Sequence, residues 1–153
     1  MSAALTTLPM TGQTPNDSHG TEQQTRRRIL IVDDDAGVLF ALRRLFGTLD
    51  VDVETCADPE AALDRLENGS SDYDLVISDE RMPKMSGLDM LRRVRSARPG
   101  TPTILMTGYG DASALERAYE SGGVFRYLTK PWDNFDLLVT VREALKAAQA
   151  LER

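Results

Sequence analysis

From Arg28 onward, short apolar runs alternate with stretches in which apolar residues recur every three or four positions. The runs at 29–33 (ILIVD), 51–56 (VDVETC), 74–78 (DLVIS), 102–107 (PTILMT) and 124–129 (VFRYLT) have the length and composition of strands. The intervening stretches at 37–45, 59–66, 88–95, 112–120 and 134 to about 151 predict helices. In the last of them Leu138, Val141, Leu145 and Ala148 recur at helical spacing. Asp58-Pro59 and Asp133 are helix starts, through capping oxygens and a proline in the first turn, and Gly122-Gly123 is a helix stop.

Strict alternation of five strands with five helices gives repeated βαβ units, whose right-handed crossovers set a parallel sheet between two helical layers. The first, third and fourth strands are apolar almost throughout, as strands covered on both faces must be. VDVETC alternates and is therefore predicted at an edge. An edge strand lying second in sequence leads to the doubly wound order 2-1-3-4-5, with ligands gathering at the carboxyl ends beside the switch between strands one and three.

Residues 1–25 are rich in Thr, Ser, Gln, Gly, Pro and Asn and have no hydrophobic period, so they read as a flexible tail. The folded domain is predicted over 26–150, with 151–153 finishing the last helix. Of the 153 residues 41% are hydrophobic, enough for one packed core, and the formal net charge of -6 argues against a nucleic-acid or anionic-membrane surface. The short run Arg26-Arg27-Arg28 reads as a solvated start to the first strand. The single cysteine, Cys56, excludes an intrachain disulfide and a cysteine cluster. The only histidine, His19, lies in the tail, so no histidine-based site is expected in the folded part. No apolar run has the length of a membrane span and the N-terminus has no secretory pattern, so a cytoplasmic location is expected.

The predicted strand ends carry the chemistry. The first ends in Asp33-Asp34-Asp35, the third in Asp79, the fourth in Thr107-Gly108 and the fifth in Lys130-Pro131-Trp132. Two carboxylates about 4 Å apart repel by roughly 4 kcal/mol at an effective dielectric near 20, so such a cluster calls for a cation. Hard oxygen ligands open to water suit Mg²⁺. A carboxylate beside it is a competent nucleophile towards phosphorus, and phosphoryl transfer asks the protein mainly for positioning and charge neutralisation.

The motifs ILIVDDD, DERMPKMSG, LMTG and YLTKPW, in that order and each at a strand end, resemble those of receiver domains of two-component response regulators, over about Arg28 to Ala148. The resemblance implies a flavodoxin-like (βα)5 receiver fold that accepts a phosphoryl group from a histidine kinase and catalyses only its own phosphorylation and dephosphorylation. By position, Asp79 matches the phosphoacceptor. Asp33 and Asp34 match the acidic pair that holds Mg²⁺ together with Asp79 and the Arg81 carbonyl. Thr107 and Lys130 match the hydroxyl and cation that meet the phosphoryl group, and Tyr127 the aromatic that turns inward as the threonine moves. The surface implied to change is the fourth helix, fifth strand and fifth helix. The implied partners are a sensor histidine kinase or phosphotransfer protein, a downstream effector or an output domain outside this sequence, and a second phosphorylated copy of the chain, with no direct nucleic-acid or membrane contact. The combination of motifs also resembles receivers attached to HD-type phosphodiesterase, kinase or transcription-activator outputs. No output domain follows, and the last helix has no stop signal, so a stand-alone regulator and a fragment are both expected possibilities.

Plainer roles stand beside these. Asp35 reads as a cap of the following helix rather than a ligand. Trp132 reads as a filler of core or groove, and Tyr127 as either passive packing or a moving switch. Arg92, Arg93, Arg95 and Arg98 read as a solvated face, and Met82-Pro83 and Gly87 as loop-shaping residues, Gly87 through its tolerance of positive φ. Arg81 and Tyr109, two residues beyond Asp79 and Thr107, are bulky enough to shield the site and lengthen the phosphorylated lifetime. Two further functions fit an acidic sheet edge. A Mg²⁺-dependent phosphatase of the haloacid-dehalogenase type resembles D-x-D-x-T or D-x-D-x-V, against Asp33-Asp34-Asp35-Ala36-Gly37 here, and there is no room for a cap domain. A receiver-like module that binds partners unphosphorylated has no physical need for crowded carboxylates.

Overall fold

In the computed structural model the described residues are 26–69, 72–108, 113, 116–117, 120 and 123–151, with backbone alone for 149–151. Along the chain they form β1 (Arg27–Val32), α1 (Ala36–Phe46), β2 (Val51–Cys56), α2 (Pro59–Asn68), β3 (Leu75–Asp79), α3 (Gly87–Ala97), β4 (Thr103–Thr107), β5 (Arg126–Thr129) and α4 (Asn134–Leu151). The five strands pair in parallel in the order β2-β1-β3-β4-β5. The expected tail, Tyr109, Gly122 and most of the helix predicted at 112–120 lie outside the described residues. Those described within that stretch, Ser113, Glu116, Arg117 and Glu120, are helical and exposed.

Strand parity divides the core between the two faces of the sheet. Leu30 and Val32 of β1, Val76 of β3 and Leu105 of β4 pack with Ala62, Leu63 and Leu66 of α2 and Leu88, Leu91 and Val94 of α3. Ile29 and Ile31, Leu75 and Ile77, and Ile104 and Met106 turn the other way onto Leu42 and Phe46 of α1 and Leu137, Val141 and Ala144 of α4. The interior strands β3 and β4 are buried at every position and the alternating strand β2 is only partly buried at its edge, as the contrast between continuous and alternating apolar runs predicts; β5, at the other edge, is also only partly buried.

Local chemistry sets where the helices begin. The Asp35 carboxylate accepts from Gly37 N–H at 2.8 Å, the Asp58 carboxylate from Glu60 N–H at 3.2 Å ahead of Pro59, and Asp133 from Asp136 N–H at 3.0 Å. Asp35 is thus the cap it was expected to be. Ser86, which nothing in the pattern singled out, caps α3 by accepting from Asp89 N–H at 3.1 Å.

Two expectations are corrected. Arg98 does not belong to a solvated face: its side chain is mostly buried, and its guanidinium donates to the Leu66 carbonyl at 2.9 Å and pairs with Asp72, tying the end of α3 to α2. In the arginine run at the start of β1, Arg26 is exposed as expected, but Arg27 and Arg28 are partly buried and all three are paired. Arg26 pairs with Asp52 at 3.1 Å, Arg27 donates to the Leu145 carbonyl at 3.0 Å, and Arg28 pairs with Glu54 while lying over the Tyr73 ring.

Candidate functional site

Each strand end that carries chemistry is held by one hydrogen bond continuing the ladder. Asp33 N–H donates to the Cys56 carbonyl at 3.1 Å, Glu80 N–H to Met106 at 2.9 Å and Lys130 N–H to Thr107 at 2.6 Å. Four neighbouring strands therefore stop at one level, and parity turns Asp33, Asp79 and Lys130 to the side of α1 and α4. Lys130 Nζ lies 3.0 Å from Asp33 Oδ2 and 2.9 Å from Asp79 Oδ1. Carboxylate oxygens of Asp33, Asp34 and Asp79 all fall within 4.8 Å of one another.

Asp33 is fully buried, with its second oxygen accepting from Asp35 N–H at 2.9 Å, and Asp79 is nearly so, while Asp34 is exposed. Burial pushes the Asp79 carboxyl above the usual aspartate value; the hydrogen bond from Lys130 opposes this and the charge of Asp33 adds to it. For Lys130, burial alone favours the neutral amine, but its hydrogen bonds to Asp79 and Asp33 prevail and raise its value. One ammonium against three carboxylates leaves the cluster short of positive charge. Three hard oxygen donors, one of them open to solvent, fit a small divalent ion such as Mg²⁺ that keeps part of its water shell.

Thr107 has the opposite parity and a buried side chain. Among the described residues its hydroxyl is the one buried side-chain polar atom without a hydrogen-bond partner. A buried donor left unpaired costs free energy until an acceptor reaches it. Tyr127 packs, partly buried, against the same face. Trp132 packs at the other face, donates from Nε1 to Asn134 Oδ1 at 3.1 Å, and borders a shallow apolar groove with Val38, Lys130 and Pro131. The Lys130–Pro131 peptide is cis.

The loop after Asp79 is built differently from expectation. Gly87 is not at positive φ; the left-handed residue is Lys84, at φ 75°, in the turn that Met85 N–H closes onto the Pro83 carbonyl at 2.8 Å. Gly87 is needed for space, because a Cβ there would stand 1.9 Å from the Asp79 carbonyl oxygen. Pattern reading also passed over Glu80. Its side chain is buried and accepts from Leu88 N–H at 2.9 Å, while its carbonyl accepts from Gly87 N–H at 2.9 Å, so this residue closes both ends of the loop. Parity could have found it: a residue following Asp79 must turn to the face covered by α3. Met82 and Met85 pack on that face, as loop-shaping residues should.

The profile of the response regulator receiver domain family matches residues 29–142. The chain belongs to that family. Its receiver domain is 31% identical over 125 residues to the transcriptional regulatory protein FixJ of Bradyrhizobium diazoefficiens, covering 82% of this chain and 60% of FixJ. It is 32% identical over 121 residues to the DNA-binding transcriptional regulator NtrC of Escherichia coli, covering 79% of this chain and 25% of NtrC. The receiver chain thus spans only part of the length of these relatives. Among solved structures it is similar to the signal receiver domain of an HD domain-containing protein from Pseudomonas fluorescens, with a TM-score of 0.77 and 36% identity over 82% of this chain and 99% of that one. A response regulator receiver domain from Clostridium thermocellum gives a TM-score of 0.74 and 32% identity, covering 82% and 98%. No helix among the described residues of the receiver is long and apolar enough to cross a membrane.

Proposed function

We propose that this receiver domain accepts a phosphoryl group on Asp79 and thereby switches a surface read by a partner. What carries the reading is the convergence of Asp33, Asp34, Asp79 and Lys130 at one sheet edge, with Lys130 Nζ within 3.0 Å of two of the carboxylates. Asp33, Asp34 and Asp79, with the Arg81 backbone carbonyl, would hold Mg²⁺. When bound, the ion neutralises charge on the phosphoryl oxygens. An Asp79 carboxylate oxygen attacks phosphorus; the new O–P bond forms as the bond to the donor breaks, and the donor leaves with that electron pair. The donor is a phosphohistidine of a kinase or phosphotransfer protein, or a small acyl phosphate. Lys130 keeps its place between Asp33 and Asp79 and pairs with the arriving charge.

The product carries about -1.5 to -2 of charge and three acceptor oxygens where one carboxylate stood. The unpaired Thr107 hydroxyl then gains an acceptor, the chain after β4 follows it, and Tyr127 moves into the space released. A few charge-assisted hydrogen bonds, each about 1.5–3 kcal/mol, are of the size needed to turn a two-state element over, roughly 5.5 kcal/mol. The surface that changes comprises the helix predicted at 112–120, β5 and α4, and it would meet an effector, an output domain or a second copy of the chain. The receiver domain spans 26–150 in this reading and works in the cytoplasm. After incubation with a phosphodonor and Mg²⁺ the chain is expected to carry one acid-stable, base-labile phosphoryl group, absent from Asp79→Ala. Label retained by that variant would refute the assignment.

A further inference from the structure

We propose that Glu80 is a positioning residue that latches Arg117 to the phosphoacceptor strand, favouring the arrangement in which Asp79 is unmodified; the inference rests on the acceptor role just assigned. The Glu80 side chain is only 7% exposed. A carboxylate so placed is costly unless both oxygens are partnered. Its Oε1 accepts from Leu88 N–H at 2.9 Å, at the start of α3, and its Oε2 lies 3.3 Å from Arg117 Nη2. With its backbone bonds to Met106 and Gly87, one residue ties together β3, β4, α3 and Arg117.

The arrangement seen is that of the free carboxylate: Lys130 bonds Asp79 at 2.9 Å and the Thr107 hydroxyl is unpaired. Drawing Thr107 towards a phosphoryl group displaces the chain leading to Arg117. A carboxylate fixed on β3 and α3 cannot follow, so the ion pair lengthens and resists. A contact stronger in one state than in the other shifts the equilibrium by that difference, and by linkage its removal must raise the affinity for whatever selects the second state. With Arg117 44% exposed, the effect belongs at the lower end of the usual coupling range, about fivefold.

The test is a titration of the full chain with beryllofluoride in saturating Mg²⁺, read by the fluorescence of Trp132, the sole tryptophan, two residues beyond Lys130. Glu80→Gln keeps an oxygen for Leu88 N–H while discharging the pair, and Arg117→Gln discharges it from the exposed side. Each variant is expected to bind beryllofluoride about fivefold more tightly than the parent, and the double variant no more tightly than either single one. A simple field effect predicts opposite signs, since Glu80→Gln removes negative charge near the anion and Arg117→Gln removes positive charge. Opposite signs, or unchanged or weakened binding in Arg117→Gln, overturn the latch and leave the acceptor role intact. Absence of binding by the parent chain overturns both.

Discussion

At the scale of single residues, burial is a cost at both Asp79 and Thr107, through a charge in the first and an unpaired hydroxyl in the second. It makes ionised Asp79 expensive, so its carboxyl titrates above the ordinary 3.8, with desolvation first, Asp33 adding to the effect and Lys130 relieving it. Between the ordinary and the raised value the native state binds more protons than the unfolded one, so Asp79's contribution to stability is full below 3.8 and is lost as pH rises through the raised value. In chelator-treated buffer, Asp79→Asn is therefore expected to be more stable than the parent at pH 7, by about 2–4 °C in thermal midpoint for each kcal/mol relieved. The gain should shrink as pH falls through that window; an equally large gain at pH 3 would contradict the sign. Thr107 instead carries the cost of a buried unpaired hydroxyl. Thr107→Val should raise stability by about 1 kcal/mol in urea unfolding, while weakening beryllofluoride binding. A loss of stability would show that the hydroxyl is already satisfied. Asp33, Asp79, Thr107 and Lys130 were legible because each follows an apolar run. Glu80 was not, because a charged residue in a polar loop looks solvated until the loop is seen folded over it.

At the scale of elements, period and capping chemistry were enough to place the described strands and helices to within a residue or two. The parallel order follows from one alternating strand lying second. The β3–α3 loop was less legible, because its shape depends on contacts distant in sequence. Gly87 reads as a turn residue, yet its role is to let α3 begin against the Asp79 carbonyl, and the left-handed position falls on Lys84. Close approach and positive φ leave the same letter in a sequence. Gly87→Ala forces a methyl to 1.9 Å from a backbone oxygen at the acceptor itself. It is expected to cost about 3 kcal/mol, at the upper end for overpacking, and to slow phosphorylation. A cost under about 1 kcal/mol by urea unfolding would mean that α3 yields easily, and that Asp79 is less firmly placed than its neighbours suggest.

At the scale of the whole molecule, an acidic chain of net charge -6 brings three carboxylates together at one sheet edge, where Lys130 pairs with two of them. A cation bound only by the folded chain must stabilise it, by about 2.7 kcal/mol at one hundred times its dissociation constant. Thermal unfolding with and without Mg²⁺ should show this gain, diminished in Asp33→Asn and at low pH, where protons compete for the oxygens. Equal stabilisation of Asp33→Asn would place the ion elsewhere. Family and fold could be read from four strand ends in register. The partner could not, since the chain spans only part of FixJ and NtrC and recognition surfaces carry no periodic signature.

The acceptor role of Asp79 is tested most directly by intact-mass spectrometry after incubation with acetyl phosphate and Mg²⁺, on the parent chain and on Asp79→Asn. The parent is expected to gain the mass of one phosphoryl group, lost when Mg²⁺ is chelated before the donor is added, and Asp79→Asn none. The same gain in both proteins, or in neither, would contradict it.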